Sequence, residues 1–381
     1  MFQNLESLLI WIVSIEHIHL AIYIMFLIAI LVSERSPETI VAWIFTITVF
    51  PVFGFILYLV FGINWRKNRI ESLQNKNRRS LFKGFPSLTK YDPTEIFHSR
   101  KVKPEDLDIL MNNAGISQEE SEIVKLLYTS EGTYLTHNSS YEMFYNGKEA
   151  FDSIIQDLEN AKETIYMEYF IWKSDKLGEK IKDILVKKAK EGVKIRLLFD
   201  GMGSFGKISE KYRKELLKVG IEFKYFLDIK FALSKFNYRN HRKITIVDNR
   251  ILHTGGMNLG EEYITGGKRF ESWRDTNVRI KGELVLHYLA IFVTDWLNSG
   301  GKQDFKMDDI EEVIEEHKNL RNESPYIMQV SSSGPDTIWT TLKYTYSKLI
   351  TSAKKEILIQ SPYFIPDTSL VSQLKIAALS G

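Results

Sequence analysis

The chain has 381 residues, enough for two or three domains of ordinary size. Its 50 Lys and Arg nearly balance 48 Asp and Glu, so the net charge of +2 gives no general attraction for nucleic acid. The absence of cysteine excludes a disulfide framework, a thiolate nucleophile and a cysteine-ligated zinc site.

Two apolar segments lie near the N-terminus. Residues Thr39–Ile63 contain no charge over 25 positions, enough for a helix across the roughly 30 Å hydrocarbon layer, and membrane helices tolerate the proline at position 51. The segment before it, Leu20–Val32, is wholly apolar over 13 residues, and extending it back to Leu8 takes in one glutamate and two histidines. The two segments predict a membrane hairpin of two transmembrane helices over residues 1–64.

The charges that follow predict the orientation of this hairpin. Residues 65–103 hold eleven Lys and Arg against three acids. Positive residues next to a membrane end stay in the cytoplasm, so we expect both chain termini there. The basic stretch predicts a cytoplasmic linker over residues 65–115, which either attracts anionic lipid headgroups or is simply solvated.

An α/β pattern begins after the linker. The apolar spacing predicts helices over Lys148–Ala161 and Leu177–Glu191, and strands over Thr164–Ile171 and Val193–Asp200. This alternation predicts an α/β sheet, largely parallel, with helices on its faces. In such sheets, ligands bind beyond the carboxyl ends of the strands.

The chain also resembles itself at a distance. Residues Asn160–Ile171 and Ser352–Ile365 share an Ala-Lys pair, a charged residue, an apolar strand pattern and a final Tyr-Phe-Ile. We therefore predict a first repeat over 116–299, an acidic linker over 300–325, and a second repeat that begins at 326 and is cut short at 381.

A spaced set of polar residues and glycines lies between positions 240 and 262. Its members are His241, Lys243, Asp248, Gly255, Gly256 and Asn258. Six fixed residues in one spacing arise by chance in roughly one window in 10⁷ at ordinary composition. This set is therefore the strongest functional signal in the sequence.

The local pattern predicts how these residues are arranged. Side chains two apart on a strand share a face, so His241 and Lys243 lie together. Asp248 begins a hairpin turn pair, and Gly255-Gly256 lets the backbone come close to a bound group. Two alternatives stay open: Asp248 is only a turn residue, or the two glycines form a β-bulge.

The residue types point to phosphoryl transfer. An imidazole beside a fixed positive charge stays neutral and nucleophilic. The Lys243 ammonium suits the non-bridging oxygens of a phosphodiester, and the Asn258 amide adds a donor. No carboxylate cluster for Mg²⁺ accompanies them, so the lysine takes the place of a metal. We expect a phosphohistidine intermediate, with no metal and no cofactor.

The spaced set resembles the HKD motif of the phospholipase D superfamily, and its flanks resemble the bacterial cardiolipin synthases. Near the N-terminus the likeness rests on Arg35, Pro37, Thr39, Trp43, Pro51, Gly54, Tyr58 and Phe61-Gly62. Further on it rests on Glu168-Tyr169, Asp200, Gly203-Ser204, Trp273-Arg274-Asp275-Thr276, Ser332 to Asp336 and Pro362 to Asp367. The resemblance implies a phospholipase D-like α/β/α sandwich.

The resemblance also implies a reaction and roles. A phosphatidyl group passes from one phosphatidylglycerol to the headgroup hydroxyl of another, releasing glycerol. His241 would be the nucleophile or the acid/base partner of a second histidine, with Lys243 and Asp248 beside it in the catalytic motif. Asn258 would bind phosphate oxygens.

Two carboxylates are candidates for orienting the imidazole, a role that the family gives to a residue downstream of the motif. They are Asp275 and, as the alternative, Glu271. Glu168, with Gly255 and Gly256, would support the phosphate-binding part of the site. The implied partners are phosphatidylglycerol and anionic lipids, and no nucleic acid, in a bacterial inner membrane with the catalytic domain on the cytoplasmic side.

The chain departs from the family in having one HKD motif where the family pairs two. By analogy between the repeats we expect the second roughly 50 residues beyond Gly381. General acid/base assistance is typically worth 10²–10⁴-fold, so we expect the chain by itself to be nearly inactive. A symmetric dimer that pairs two copies of His241 is the alternative, and the oligomeric state stays open.

Other functions are compatible with part of this pattern. With water as acceptor the enzyme would be a phospholipase D, and with a nucleic acid diester it would be a nuclease, which the hairpin and near-neutral charge disfavour. A catalytically silent membrane scaffold is the alternative outside enzymes, but a scaffold has no physical need for the spacing of His241, Lys243 and Asn258.

Overall fold

The computed structural model describes residues 17, 20–33, 37–62, 111, 115–131, 133, 135–226, 239–267, 273–302, 304–305, 312–313, 316, 326–334 and 339–380. The chain divides into two compact units, Met1–Ser72 and Leu73–Gly381. The predicted basic linker lies outside the described residues except for positions 111 and 115. The boundaries predicted for the linkers and repeats stay predictions.

The N-terminal unit is helical where it is described. Residues 20–31 form helix α1, followed by α2 (Pro37–Val49), α3 (Pro51–Leu57) and a π-helical turn over Tyr58–Gly62. Three buried side chains, those of Ile30, Ile47 and Tyr58, form its small core.

The apolar segment over 39–63 is interrupted at Pro51, where α2 has ended and α3 begins, and the transmembrane hairpin stays a prediction. Phe50 has non-helical angles, φ −126° and ψ 73°, because a residue before proline is disfavoured in the helical region. A Cβ on Gly54 would lie 2.4 Å from the carbonyl oxygen of Thr46, so only glycine permits this close approach. Among the described residues no helix combines the length and the apolar character needed to cross a bilayer.

The second unit is built on a mixed sheet. Its strands are β1 (Thr136–Phe144), β2 (Thr164–Tyr169), β3 (Lys194–Asp200), β4 (Glu222–Phe226), β5 (Lys243–Val247), β6 (Ile251–Gly255), β7 (Asn277–Gly282) and β8 (Tyr326–Met328). They lie in the order β4-β3-β2-β5-β6-β7-β1-β8.

The expectation of a largely parallel sheet is wrong. The pairs β2–β3 and β3–β4 are parallel, whereas β2–β5, β5–β6, β6–β7, β7–β1 and β1–β8 are antiparallel. The reason is that β5 enters the sheet beside β2 and continues into β6 through a tight hairpin, which joins only antiparallel strands.

Helices cover both faces of this sheet. The helices of this unit are α4 (Gln118–Glu131), α5 (Gly147–Asn160), α6 (Lys176–Lys190), α7 (Glu210–Lys218), α8 (Glu262–Thr265), α9 (Leu284–Asn298), α10 (Thr341–Ser352) and α11 (Thr368–Leu379). The predicted elements at α5, β2, α6 and β3 are confirmed, with each end within two residues. Helix α5 starts where it does because the Asn146 side chain accepts the Glu149 N–H, an N-cap.

Two buried apolar clusters hold the layers together. On one face, Met167 of β2 packs with residues of α5 and α6 such as Phe151 and Leu185. On the other, Ile244 of β5 packs with residues of α9 such as Phe292. Because alternate strand residues face opposite sides, one sheet serves both cores. The described part is thus a layered helix–sheet–helix arrangement.

The C-terminal segment differs from the second repeat that the sequence predicts. Strand β8 pairs with β1 of the same sheet. The second copy of the repeated strand pattern, within residues 353–366, forms no strand, and Leu358 and Ile365 are 84% and 88% exposed. A strand needs a neighbour for its backbone hydrogen bonds, and the described chain places none beside this segment.

The predicted acidic linker is anchored where it is described. Asp304 forms ion pairs with Lys194, at 2.9 Å, and with the buried Arg196. Glu316 pairs with Arg250 at 2.8 Å. These residues therefore lie against the sheet unit and are not simply solvated.

Candidate active site

His241 and Lys243 meet where β5 begins. The Lys243 Nζ lies 2.9 Å from His241 Nδ1 and donates to the His241 carbonyl oxygen at 2.7 Å. Strand β5 starts at Lys243, so His241 belongs to the segment just before it. The two side chains therefore lie together, as the sequence predicts.

Burial sets the protonation of this pair. Loss of water around Lys243, which is 4% exposed, lowers its pKa from 10.5 to about 8, against the opposing attraction of Asp275. Partial desolvation, and then the Lys243 charge, lower the pKa of His241 from 6.5, while Asp200 acts in the opposite direction. Near pH 7 the pair is therefore a neutral imidazole beside an ammonium.

The pair lies at the carboxyl ends of the parallel strands. Lys243 pairs with Tyr169, the last residue of β2. The ring of Phe170 is 4.7 Å from that of His241 between centroids, and 5.7 Å from Lys243 Nζ. His241 itself is exposed, so one side of its ring is open to a ligand. This is the edge of the sheet at which we expected ligands to bind.

Asp248 lies at the opposite end of β5, which corrects its predicted place in the catalytic group. It and Asn249 have φ values of 52° and 55° and form the tight turn between β5 and β6. Its carboxylate accepts backbone N–H groups of Lys162, Glu163 and Thr164 at 2.8–3.2 Å. Asp248 therefore fixes the start of β2, and the alternative of a turn residue is the one that its geometry supports.

The two glycines make room for protein atoms, which corrects the expectation that they admit a bound group. A Cβ on Gly255, at φ 154°, would lie 2.3 Å from the Thr276 carbonyl oxygen. A Cβ on Gly256 would lie 2.1 Å from Asp275 Oδ1. The glycine pair thus lets the Asp275 segment pack closely against the motif.

Asp275 is half-buried beside this glycine pair. Its Oδ1 accepts the N–H of Thr276 at 2.7 Å, and its charge acts on Lys243. Among the described residues it forms no hydrogen bond with His241. Its predicted role of orienting the imidazole stays a prediction. The alternative, Glu271, lies outside the described residues.

Asn258 is buried, and its amide links two loops at this edge. Its Oδ1 accepts the Ile171 N–H at 3.1 Å, and its Nδ2 donates to the Tyr263 hydroxyl at 3.1 Å. Since an amide carries two N–H groups, one remains for a phosphate oxygen. Asn258 therefore has a structural role, and its expected role in binding phosphate stays a prediction.

Glu168 lies on the opposite face of β2 from Tyr169, which pairs with Lys243. It is buried and accepts a hydrogen bond from the Asn240 side chain. Glu168 therefore contacts the motif segment through Asn240 and does not face the open side of His241. The sequence analysis does not predict the partners of Asn240. One of them, Asp295, is a lone acid in the apolar helix α9, and this was a signal of a buried polar contact.

A second histidine, His253, is buried in β6. Its Nε2 lies 2.7 Å from Asp157 Oδ2, and Arg279 also donates to Asp157, at 2.7 and 2.9 Å. This buried cluster touches neither His241 nor Lys243.

Comparisons with known proteins show which family the chain belongs to. Residues 154–296 match the family model described as "Cardiolipin synthase, PLD-like domain", and residues 21–62 match "Phospholipase_D-nuclease N-terminal". Fold and site thus define a phospholipase D-like domain. A solved phosphatidylserine synthase from Haemophilus influenzae overlaps with a TM-score of 0.48 at 14% identity, covering 69% of this chain and 64% of that one.

Curated relatives identify the family within this superfamily. A cardiolipin synthase of Halalkalibacterium halodurans is 35% identical over 97% of this chain and 70% of its own length. Cardiolipin synthase 2 of Bacillus anthracis is 36% identical over 92% of this chain and 64% of its own length. The chain belongs to the cardiolipin synthase family, which confirms the predicted family. It spans about two thirds of the length of these relatives.

Proposed function

We propose that this chain carries the catalytic machinery for moving a phosphatidyl group from one phosphatidylglycerol to another, forming cardiolipin and glycerol. The observation that carries the proposal is the contact between a buried lysine ammonium and an exposed, neutral imidazole, with 2.9 Å between Nζ and Nδ1. Membership of the cardiolipin synthase family supports the choice of substrate.

The reaction has two displacements at phosphorus. In the first, a histidine ring nitrogen bonds to phosphorus while the bond to the glycerol oxygen breaks, and the leaving oxygen takes a proton. In the second, the headgroup hydroxyl of another phosphatidylglycerol gives up its proton and attacks the phosphohistidine, which releases the ring. His241 is the nucleophile or its acid/base partner, and Lys243 holds the non-bridging oxygens as their charge rises.

The contact between Lys243 and His241 indicates how substrate binding prepares the ring. An ammonium that donates to Nδ1 requires that this nitrogen be unprotonated, which leaves the ring proton on Nε2. A bound phosphate oxygen competes with Nδ1 for the Lys243 ammonium. Once the ammonium has left Nδ1, the ring proton can move from Nε2 to Nδ1. Nε2 is then free to attack, and the Asp275 carboxylate nearby is the candidate acceptor for Nδ1–H.

The N-terminal unit is proposed to hold the enzyme at its lipid substrate. Its exposed side chains include large apolar ones such as Val52 and Phe53, at 73% and 74% exposure. Burial of apolar surface in lipid is favourable at about 25 cal/mol per Å². The predicted multi-pass hairpin in the inner membrane, its contact with anionic lipids and the cytoplasmic catalytic domain belong to this proposal.

Product analysis tests the proposed activity. Membranes from cells that express the full-length gene product are given labelled phosphatidylglycerol, and the lipids are separated by chromatography. We expect cardiolipin and free glycerol in equal amounts. Phosphatidic acid without cardiolipin would show that water is the acceptor, as in a phospholipase D, and would overturn the proposed transfer. No turnover at all would favour the silent scaffold.

A further inference from the structure

A network of buried polar groups lies behind the catalytic pair. Asn240 and Arg242 alternate in sequence with His241 and Lys243. The Asn240 Nδ2 donates to Asp295 Oδ2 at 3.0 Å and also to a Glu168 oxygen, and Arg242 donates to Asp295.

The backbone of the same segment is held from a third side. The Asn240 N–H donates to Asp200 Oδ2 at 3.0 Å, and the Asn240 Oδ1 accepts the Arg242 N–H at 3.0 Å. Asp200 ends β3 and also accepts the Met202 and Gly203 N–H groups at 2.9 and 2.8 Å. The segment before β5 is therefore fixed by side chains from β2, β3 and α9, although it is not a regular strand.

The charges in this network do not balance if every acid is ionised. Glu168 and Asp295 are 1% and 2% exposed. Arg242 pairs with Asp295 and also attracts Glu131, and Arg239 lies 3.8 Å from Asp200. Arg242 also attracts Glu168, so in the described part of the chain the two buried acids Glu168 and Asp295 share one nearby cation.

A buried acid with no cation of its own is favoured in its neutral form. Burial, and then the charge of Asp295, raise the pKa of Glu168 well above its usual range. The Glu168 Oε2 is buried and accepts no hydrogen bond. This is the oxygen that would carry the proton and donate toward Asp295.

We propose that Glu168 is a neutral carboxylic acid whose pairing with the Asp295 carboxylate holds Asn240 and Arg242, and so aims His241 and Lys243 at the phosphate. The inference rests on the proposed function for its last step. Glu168 and Asp295 act as positioning residues, since their contacts are with the motif segment and not with its open face.

Two conservative variants with different expected effects on kcat test this assignment in the full-length gene product. Glu168→Gln copies a neutral acid, so we expect it to lower kcat by a factor about tenfold smaller than Asp295→Asn does. Asp295→Asn removes the charge that pairs with Arg242 and turns an amide toward donors. A displacement of reacting groups by about 1 Å can cost 10²-fold, so we expect kcat to fall by about that factor with KM little changed. Equal losses in the two variants would overturn the proposal.

A matched control and a second readout separate positioning from general destabilisation. Asp157→Asn alters another buried carboxylate that pairs with an arginine, but away from the motif, and should lower stability without lowering kcat per folded molecule. Infrared spectra of the purified chain at pH 7 should contain a protonated-carboxyl band that Glu168→Gln removes. A wild type that makes no cardiolipin but keeps this band would refute the proposed function alone. Absence of the band would refute the neutral acid.

Discussion

We expect Lys243 to be required for activity and, because its charge is buried, to lower the stability of the fold. Lowering a lysine pKa from 10.5 to about 8 disfavours the charged form in the folded state by about 3 kcal/mol. Lys243→Met removes that penalty but loses the hydrogen bond to the His241 carbonyl, worth about 1 kcal/mol. We therefore expect the variant to be inactive and yet more stable than wild type by about 2 kcal/mol at pH 7.

The pH dependence of this gain follows from proton binding. Between pH 8 and 10.5 the unfolded chain holds the Lys243 proton and the folded chain has released it. Stability of the wild type through this group therefore rises with pH across that interval. Lys243→Met has no such group, so its advantage is full below pH 8 and should be mostly gone by pH 10.

Urea denaturation of the purified chain in mild detergent, followed by tryptophan fluorescence at pH 7 and pH 10, measures the difference between the two proteins. Lys148→Met is the control, because Lys148 is exposed on α5 and its ion pair with Asp152 lies on the surface. It should give neither the gain nor the loss of activity. A Lys243→Met variant that is less stable than wild type at pH 7 would refute the assigned burial penalty.

Three further predictions concern the motif. Asp248→Ala should lower the free energy of unfolding by about 2 kcal/mol, since it removes charge-assisted hydrogen bonds to the N–H groups of Lys162, Glu163 and Thr164, yet keep kcat per folded molecule; a large kcat loss with normal stability would support a catalytic role for Asp248. Gly256→Ala should displace Asp275 and lower kcat more than KM rises, and unchanged kinetics would exclude a role for that contact. Finally, kcat/KM should fall as pH rises through about 8, where Lys243 loses its charge; a rate that is flat to pH 10 would contradict the ammonium's role.

Local sequence patterns were sufficient to predict several helices, strands and turns of this protein. The helices and strands at α5, β2, α6 and β3 follow from apolar periodicity within single segments. The two-residue spacing predicts that His241 and Lys243 lie together, although His241 lies just before β5 and not on the strand. The turn at Asp248-Asn249 follows from residues that tolerate positive φ.

What the sequence could not supply depends on contacts between distant segments. The side of β2 on which β5 adds decides whether the sheet is parallel, and no local period encodes that choice. The partners of Asp248 are 84 to 86 residues away. Gly256 reads as a gap for a ligand until the Asp275 segment is seen to fill it. Glu168 and Asp295 become a pair only when β2 and α9 pack together.

The most direct test of the central claim is the turnover of phosphatidylglycerol by the full-length gene product carrying His241→Ala, expressed per folded molecule. A ring nitrogen that attacks phosphorus or carries a proton there predicts a loss of at least 10²-fold, with phosphatidylglycerol binding retained. Cardiolipin formed at the wild-type rate by that variant would contradict the account.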